Sequence, residues 1–217
     1  MNNTDCALLI IDMQRDFLAP GGYAEQAGLA IDRLRAPIPQ IQMLLQAARS
    51  QGLTIVYTRE GHRPDLSDVS PAKLRRSQRA GATIGSAGPL GRWLIRGEYG
   101  HDIIDELTPQ GGEILIDKPG YGAFQHTDLA LILHNRGIQR LLLTGVTTDI
   151  CVHSTLREAV DRGFDCLTVS DACATTRPDI HAAMLACIQG EGGILGTVQT
   201  TAEVLYGLKG NNRERCA

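Results

Sequence analysis

Residues 6–12 read CALLIID, and this stretch decides the fold class. Cys6 to Ile11 run on without a polar interruption, and a carboxylate, Asp12, follows at once. A surface helix would break such a run every third or fourth position, and a half-exposed strand at every second one. An unbroken short run bounded by polar residues is the pattern of a strand buried on both faces, as in a parallel sheet covered by helices.

Working outward, the same alternation recurs. From Ala36 to Ser50 the apolar residues Ile38, Ile41, Leu44, Leu45 and Ala48 fall at helical spacing. Pro37 and Pro39 stand at the start, where a missing N–H costs little, and Gly52 closes the helix. LTIVYT (53–58) predicts a second strand and EILIDK (113–118) a third. A helix over 126–137 precedes the strand RLLLTGV (140–146), and a helix over 149–162 follows it. FDCLTVSD, a helix over 178–189, GGILGTVQT and a last short helix complete the series. Strands alternating with helices predict a single-domain, three-layer α-β-α architecture of Rossmann-like type, with a parallel sheet of about six strands. The domain is expected over residues 1–208, with 209–217 a flexible tail. Residues 59–100, rich in charge, Gly and Pro, interrupt the alternation and predict a lid or an oligomer contact.

Composition narrows the function. Hydrophobic residues make up 43% of the 217, charged ones 21%, and the net charge is -3. That balance does not suit a nucleic-acid or polybasic membrane surface. The apolar run ending at Ile11 is too short to span a bilayer. The N-terminus lacks the basic region of a secretory signal, so a cytoplasmic protein is expected, with neither membrane nor nucleic acid as partner. No CxxC pair or zinc-finger spacing occurs among the six cysteines. Cys6, Cys166, Cys173 and Cys187 read as small core residues and Cys216 as a tail thiol.

Ligands of open parallel sheets bind beyond the carboxyl ends of the strands. The first strand ends at Asp12, the third at Asp117 and Lys118, and the fourth leads through Gly145, Val146 and Thr147 to Cys151. An acid, an ammonium and a thiol therefore meet on one rim. Cys151 is expected in the first turn of its helix, where free N–H groups favour a thiolate. Singly, each has a plain structural reading: a capping Asp, a solvated Lys, a core Cys. Their joint placement points to nucleophilic chemistry. No GxGxxG follows the first strand, which removes the dinucleotide-binding reading.

LLIIDMQRDF, IDKPGYGAF and TGVTTDICVHSTLREAVDRGF resemble the isochorismatase-like cysteine hydrolases, and the resemblance runs from about Ala7 to Leu208. YTREGHRPDL, RSQR, GPLGR, RGEYG and DELTP are similar to the biuret hydrolases in particular. The resemblance implies Asp12 as acid/base, Lys118 as its partner and Cys151 as nucleophile. It also implies a cis peptide between Val146 and Thr147, an oxyanion hole from the backbone N–H groups of Thr147 and Cys151, and a homotetramer. No cofactor is implied. Nicotinamidases of the same superfamily carry a metal-binding Asp-x-His pattern after the second strand, and here His62 stands without one, so no metal is expected.

The chemistry implied is ammonia release from a small ureide through an S-acyl intermediate. A ureidoacrylate-type amidohydrolase, or a catalytically idle binding subunit, would share much of this pattern. Two departures from the biuret hydrolases bear on substrate. Glu191 stands where they have Gln, and Tyr121 where they have Lys. An ionised Glu is acceptor-only and suits the N–H groups of a longer ureide. Both residues are expected to bind substrate and to favour triuret over biuret.

Overall fold

The computed structural model describes residues 5–214; Cys216 lies outside them. Among the described residues eight strands are present: β1 (Cys6–Ile11), β2 (Thr54–Glu60), β3 (Ala87–Gly88), β4 (Gly91–Arg92), β5 (Ile114–Lys118), β6 (Arg140–Val146), β7 (Asp165–Ala174) and β8 (Thr197–Gln199). The helices are α1 (Arg15–Leu18), α2 (Tyr23–Gln26), α3 (Ile31–Arg35), α4 (Ile38–Gln51), α5 (Pro71–Arg79), α6 (Leu129–Asn135), α7 (His153–Val160), α8 (Pro178–Gln189) and α9 (Thr201–Glu214).

Six strands form one sheet in the order β5-β2-β1-β6-β7-β8, and every pairing in it is parallel. CALLII is buried throughout, at the centre of the sheet. Its alternate residues feed two cores. Leu8 and Ile10 pack with Ile41, Leu44 and Ala48 of α4 on one face. Ala7, Leu9 and Ile11 pack with Leu129 and Leu133 of α6 and Leu156 and Ala159 of α7 on the other. This is the three-layer domain that the apolar runs predict. From β1 the chain moves outward through β2 to β5, then returns to place β6 on β1's other side. The crevice at that reversal, beyond the ends of β1 and β6, is where such sheets bind ligands.

α4 begins beside Pro37 and ends at Gly52, whose φ of 69° closes the helix in the left-handed region that glycine adopts without strain. Several boundaries differ from the sequence expectation. β2 runs to Glu60 rather than Thr58, because Arg59 and Glu60 continue the ladder opposite Asp117 and Lys118 of β5. The helix expected over 149–162 is a π-helical turn, Thr148–Val152, followed by the shorter α7. Only Thr197–Gln199 of GGILGTVQT form a strand. The last helix continues to Glu214, into the stretch expected to be a flexible tail. Residues 59–100 fold into α5 and the β3–β4 hairpin, and within this chain they wall the crevice. Among the described residues no helix is long and apolar enough to cross a membrane.

Candidate active site

Asp12 is the residue after β1, with φ at 52° and no exposure to solvent. Its N–H donates to the Thr58 carbonyl at 3.1 Å, and the Thr58 hydroxyl donates to Oδ1 at 2.6 Å. Pairing of Ile11 with Thr58 puts these groups side by side. Lys118, the last residue of β5, is also fully buried, and its Nζ lies 2.8 Å from Asp12 Oδ2. The same ammonium donates to the carbonyls of Gly120 at 3.0 Å and Tyr121 at 2.9 Å.

The third group arrives from β6. Gly145 has φ of 110°, and a Cβ there would lie 2.1 Å from the Ile11 carbonyl oxygen. Only glycine lets the two strands approach so closely. The peptide between Val146 and Thr147 is cis, as the resemblance implied, and the π turn that follows carries Cys151. Cys151 Sγ donates to Glu60 Oε2 at 3.5 Å.

Glu60 and Lys73 were missing from the sequence reading. Glu60 ends β2 directly opposite Lys118, and Lys118 Nζ lies 3.9 Å from its Oε2. Lys73, from α5, lies 2.5 Å from Oε1 and donates to the Pro119 carbonyl at 2.6 Å. Gln14 clamps the backbone of Glu60, accepting from its N–H at 2.7 Å and donating to its carbonyl at 3.0 Å. Neither Glu60 nor Lys73 carries a sequence signal, since TREGH reads as a polar loop and Lys73 falls in the interrupted stretch 59–100. His62, near Glu60 in sequence, points elsewhere. Glu60 faces Lys73, whereas His62 Nδ1 faces Asp68 at 3.2 Å.

Charge sets the protonation states. Burial pushes the Cys151 thiol well above its usual range and outweighs the nearby Lys118 ammonium. Burial thus favours the thiol over the thiolate that a helix start alone would favour. Burial also raises Asp12, beyond what Lys118 lowers it, and the Glu60 anion adds to the rise. Burial alone would raise Glu60 too, but Lys73 and Lys118 outweigh it and keep that carboxyl low. For Lys118, burial works against the charge, and Asp12, Cys151 and Glu60 overcome it, so the ammonium persists. Two carboxyls and two amines surround the thiol. A proton passing between Cys151 and Asp12 would leave the net charge of this desolvated site unchanged.

One carboxylate oxygen each of Asp12 and Glu60 and Sγ of Cys151 lie within 4.8 Å of one another, a spacing that a metal ion could span. Lys118 and Lys73 already supply the positive charge there, so a divalent ion would face two ammonium groups. The donor set fits proton chemistry better than metal binding.

A cavity of about 230 Å³ opens onto the thiol. Phe17, Tyr23, Leu29, Ile84 and Leu94 make it largely apolar, and Glu60, Lys73 and Arg76 bring charge to it. Of the residues singled out from sequence, Cys151, Thr147, Val146 and Tyr121 line this cavity, and Asp12 and Lys118 sit behind it. Glu191 does not join them. It lies exposed on the turn Gly190–Gly192 after α8, with φ at 51°.

Solved structures share this architecture. A cysteine hydrolase from Pseudomonas syringae pv. phaseolicola 1448A is 28% identical with a TM-score of 0.82, over 97% of this chain and 95% of that one. An isochorismatase family protein from Desulfovibrio vulgaris subsp. vulgaris str. Hildenborough is 27% identical with a TM-score of 0.77, over 94% and 98%. N-carbamoylsarcosine amidase from Thermoplasma acidophilum is 25% identical with a TM-score of 0.69, over 91% and 96%. Residues 6–203 match the Isochorismatase domain, and the chain belongs to that family of hydrolases.

Proposed function

We propose that this protein is a metal-independent cysteine amidohydrolase, releasing ammonia from a small ureide through an S-acyl intermediate. The observation that carries the reading is the charge-balanced cluster of Cys151, Asp12 and Lys118 at the end of the cavity. The likeness to an N-carbamoylsarcosine amidase supports it.

Asp12 accepts the thiol proton as Sγ attacks the amide carbon, and Lys118 holds the charge distribution steady. The backbone N–H groups of Thr147 and Cys151 meet the developing oxyanion, a contribution worth ~3 kcal/mol per donor in such sites. Protonated Asp12 then passes its proton to the departing nitrogen. Water, activated by the same carboxylate, cleaves the thioester and restores the thiol.

Triuret is the substrate we favour, with biuret next. The small cavity suits a short linear molecule, and Tyr121 lines it where the biuret hydrolases have Lys. Glu191, on its exposed turn, adds nothing to this preference within one chain. A ureide ending in a carboxylate, of the ureidoacrylate type, has its own support: Arg76 brings a guanidinium to the cavity wall. Ammonia release from biuret, triuret, ureidoacrylate and nicotinamide separates these readings. A kcat/KM highest for triuret is expected, and activity on nicotinamide alone would overturn the ureide assignment.

The protein is further proposed to act as a cytoplasmic homotetramer. α8 supports the assembly: its Ala182, Ala183, Ala186 and Cys187 are exposed, and Ile188 is its buried residue. Light scattering on the eluting protein should return four times the chain mass, and a monomer mass would refute the assembly.

A further inference from the structure

Two carboxylates flank the Cys151 sulfur, and they differ in one respect. Asp12 has no exposed surface, whereas Glu60 lines the cavity that a substrate would fill. We propose that Glu60 is a further catalytic residue, which binds the scissile –NH2 group of the substrate and stabilises it as it leaves. The proposal rests on the amidohydrolase reading above and adds the group that meets the leaving nitrogen.

When Sγ bonds to the acyl carbon, the carbonyl oxygen and the amide nitrogen must find partners on different sides of the sulfur. N–H donors at Thr147 and Cys151 suit the oxygen. Glu60 Oε2, 3.5 Å from Sγ, suits the nitrogen, because an ionised carboxylate accepts hydrogen bonds and repels a carbonyl oxygen. Lys73 occupies the other oxygen, Oε1, at 2.5 Å, and so leaves Oε2 turned towards the thiol. In the resting enzyme Oε2 accepts from the thiol. Once that proton has moved to Asp12, Oε2 loses its donor and a substrate N–H takes the place.

The bonds balance. An S–C bond forms, the C–N bond breaks, and the proton that left sulfur for Asp12 ends on nitrogen, giving ammonia and the thioester. Positive charge grows on nitrogen as it takes this proton, and the Glu60 anion lies alongside. Asp12, Glu60 and Sγ each offer an atom within 4.8 Å of the others, so the sulfur and both carboxylates meet the substrate in one small site. An ester leaving group has no N–H to offer Glu60 and gains nothing from it.

Biuret and methyl allophanate give the direct test, because they present the same acyl group with ammonia or methanol as the leaving group. In Glu60→Gln, kcat/KM for ammonia release from biuret should fall by about thirtyfold or more, the range of a charge-assisted hydrogen bond. Methanol release from methyl allophanate should fall as well, since the charge around Cys151 and Asp12 changes for both substrates, but by at least about tenfold less, so the amide-to-ester ratio of kcat/KM is the quantity read. Glu60→Asp keeps the charge but withdraws the oxygen, and the same bias is expected; it serves if the Gln variant has a lowered thermal midpoint. Equal losses on amide and ester, or no loss on either, would overturn the proposal. A wild-type enzyme inert on biuret but active on another primary amide removes the biuret reading alone, and Glu60 is then judged on that amide and its methyl ester.

Discussion

Lys118 Nζ and Asp12 Oδ2 lie 2.8 Å apart, and neither side chain has any exposure to solvent. A buried pair of this kind is costly to assemble and more costly to break, since removing one partner strands the other charge in the interior. It stands beside the Cys151 thiol, with one oxygen of Asp12 held by Thr58 and the other by Lys118.

Asp12→Asn keeps the shape of the site but removes the proton acceptor. Ammonia release should fall by about a thousandfold, within the range for loss of a general base. EDTA should leave the wild-type rate unchanged, and a strong EDTA effect would revive a metal-dependent mechanism. Steady-state kcat with and without chelator checks both.

Lys118→Ala should cost stability as well as rate. Asp12 and Glu60 would share a buried site with Lys73 alone, and the expected loss is about 3–5 kcal/mol. Urea unfolding followed by circular dichroism measures it, and a loss under about 1 kcal/mol would contradict the strong burial of this pair.

Asp16 offers a pH test. Its carboxyl is buried; Oδ2 accepts from the Leu94 N–H at 2.8 Å, and Oδ1 has no partner. Burial raises its pKa to about 6. An unfolded Asp ionises near ~3.9, so the folded chain holds the extra proton between about pH 4 and 6, and stability falls as pH rises through that window. Asp16→Asn should remove this fall, stabilising the protein at pH 7 by up to about 3 kcal/mol with little effect at pH 4. Unfolding curves at the two pH values decide it.

Gly145→Ala should destabilise the site where β1 and β6 meet. The added Cβ would sit 2.1 Å from the Ile11 carbonyl oxygen, at φ of 110°. Backbone atoms on both sides cannot yield cheaply, so a loss of about 3 kcal/mol or more is expected in the same unfolding assay. A neutral substitution would mean the strands separate more easily than their register suggests.

The parts of this site legible in sequence share one feature: a charge or thiol follows an apolar run. CALLII hands over to Asp12, ILID to Lys118, and RLLLTGV leads to Cys151. Glu60 and Lys73 lack that mark. Glu60 stands in TREGH, which reads as a polar loop until β2 pairs with β5 and places Glu60 opposite Lys118. Lys73 comes from α5, in the interrupted stretch 59–100, and only the tertiary fold brings it to Glu60. The thiol's protonation was likewise hidden, since it depends on burial rather than on position along a helix. Glu191 shows the converse: a carboxylate conspicuous in sequence stands exposed outside the cavity.

Cys151→Ser tests the central claim most directly, through kcat for ammonia release by a variant whose unfolding curve matches wild type. Serine nearly preserves the shape but is far less acidic, so the account predicts a fall of at least about a thousandfold. A variant retaining more than about a tenth of the wild-type rate would contradict Cys151 as the nucleophile.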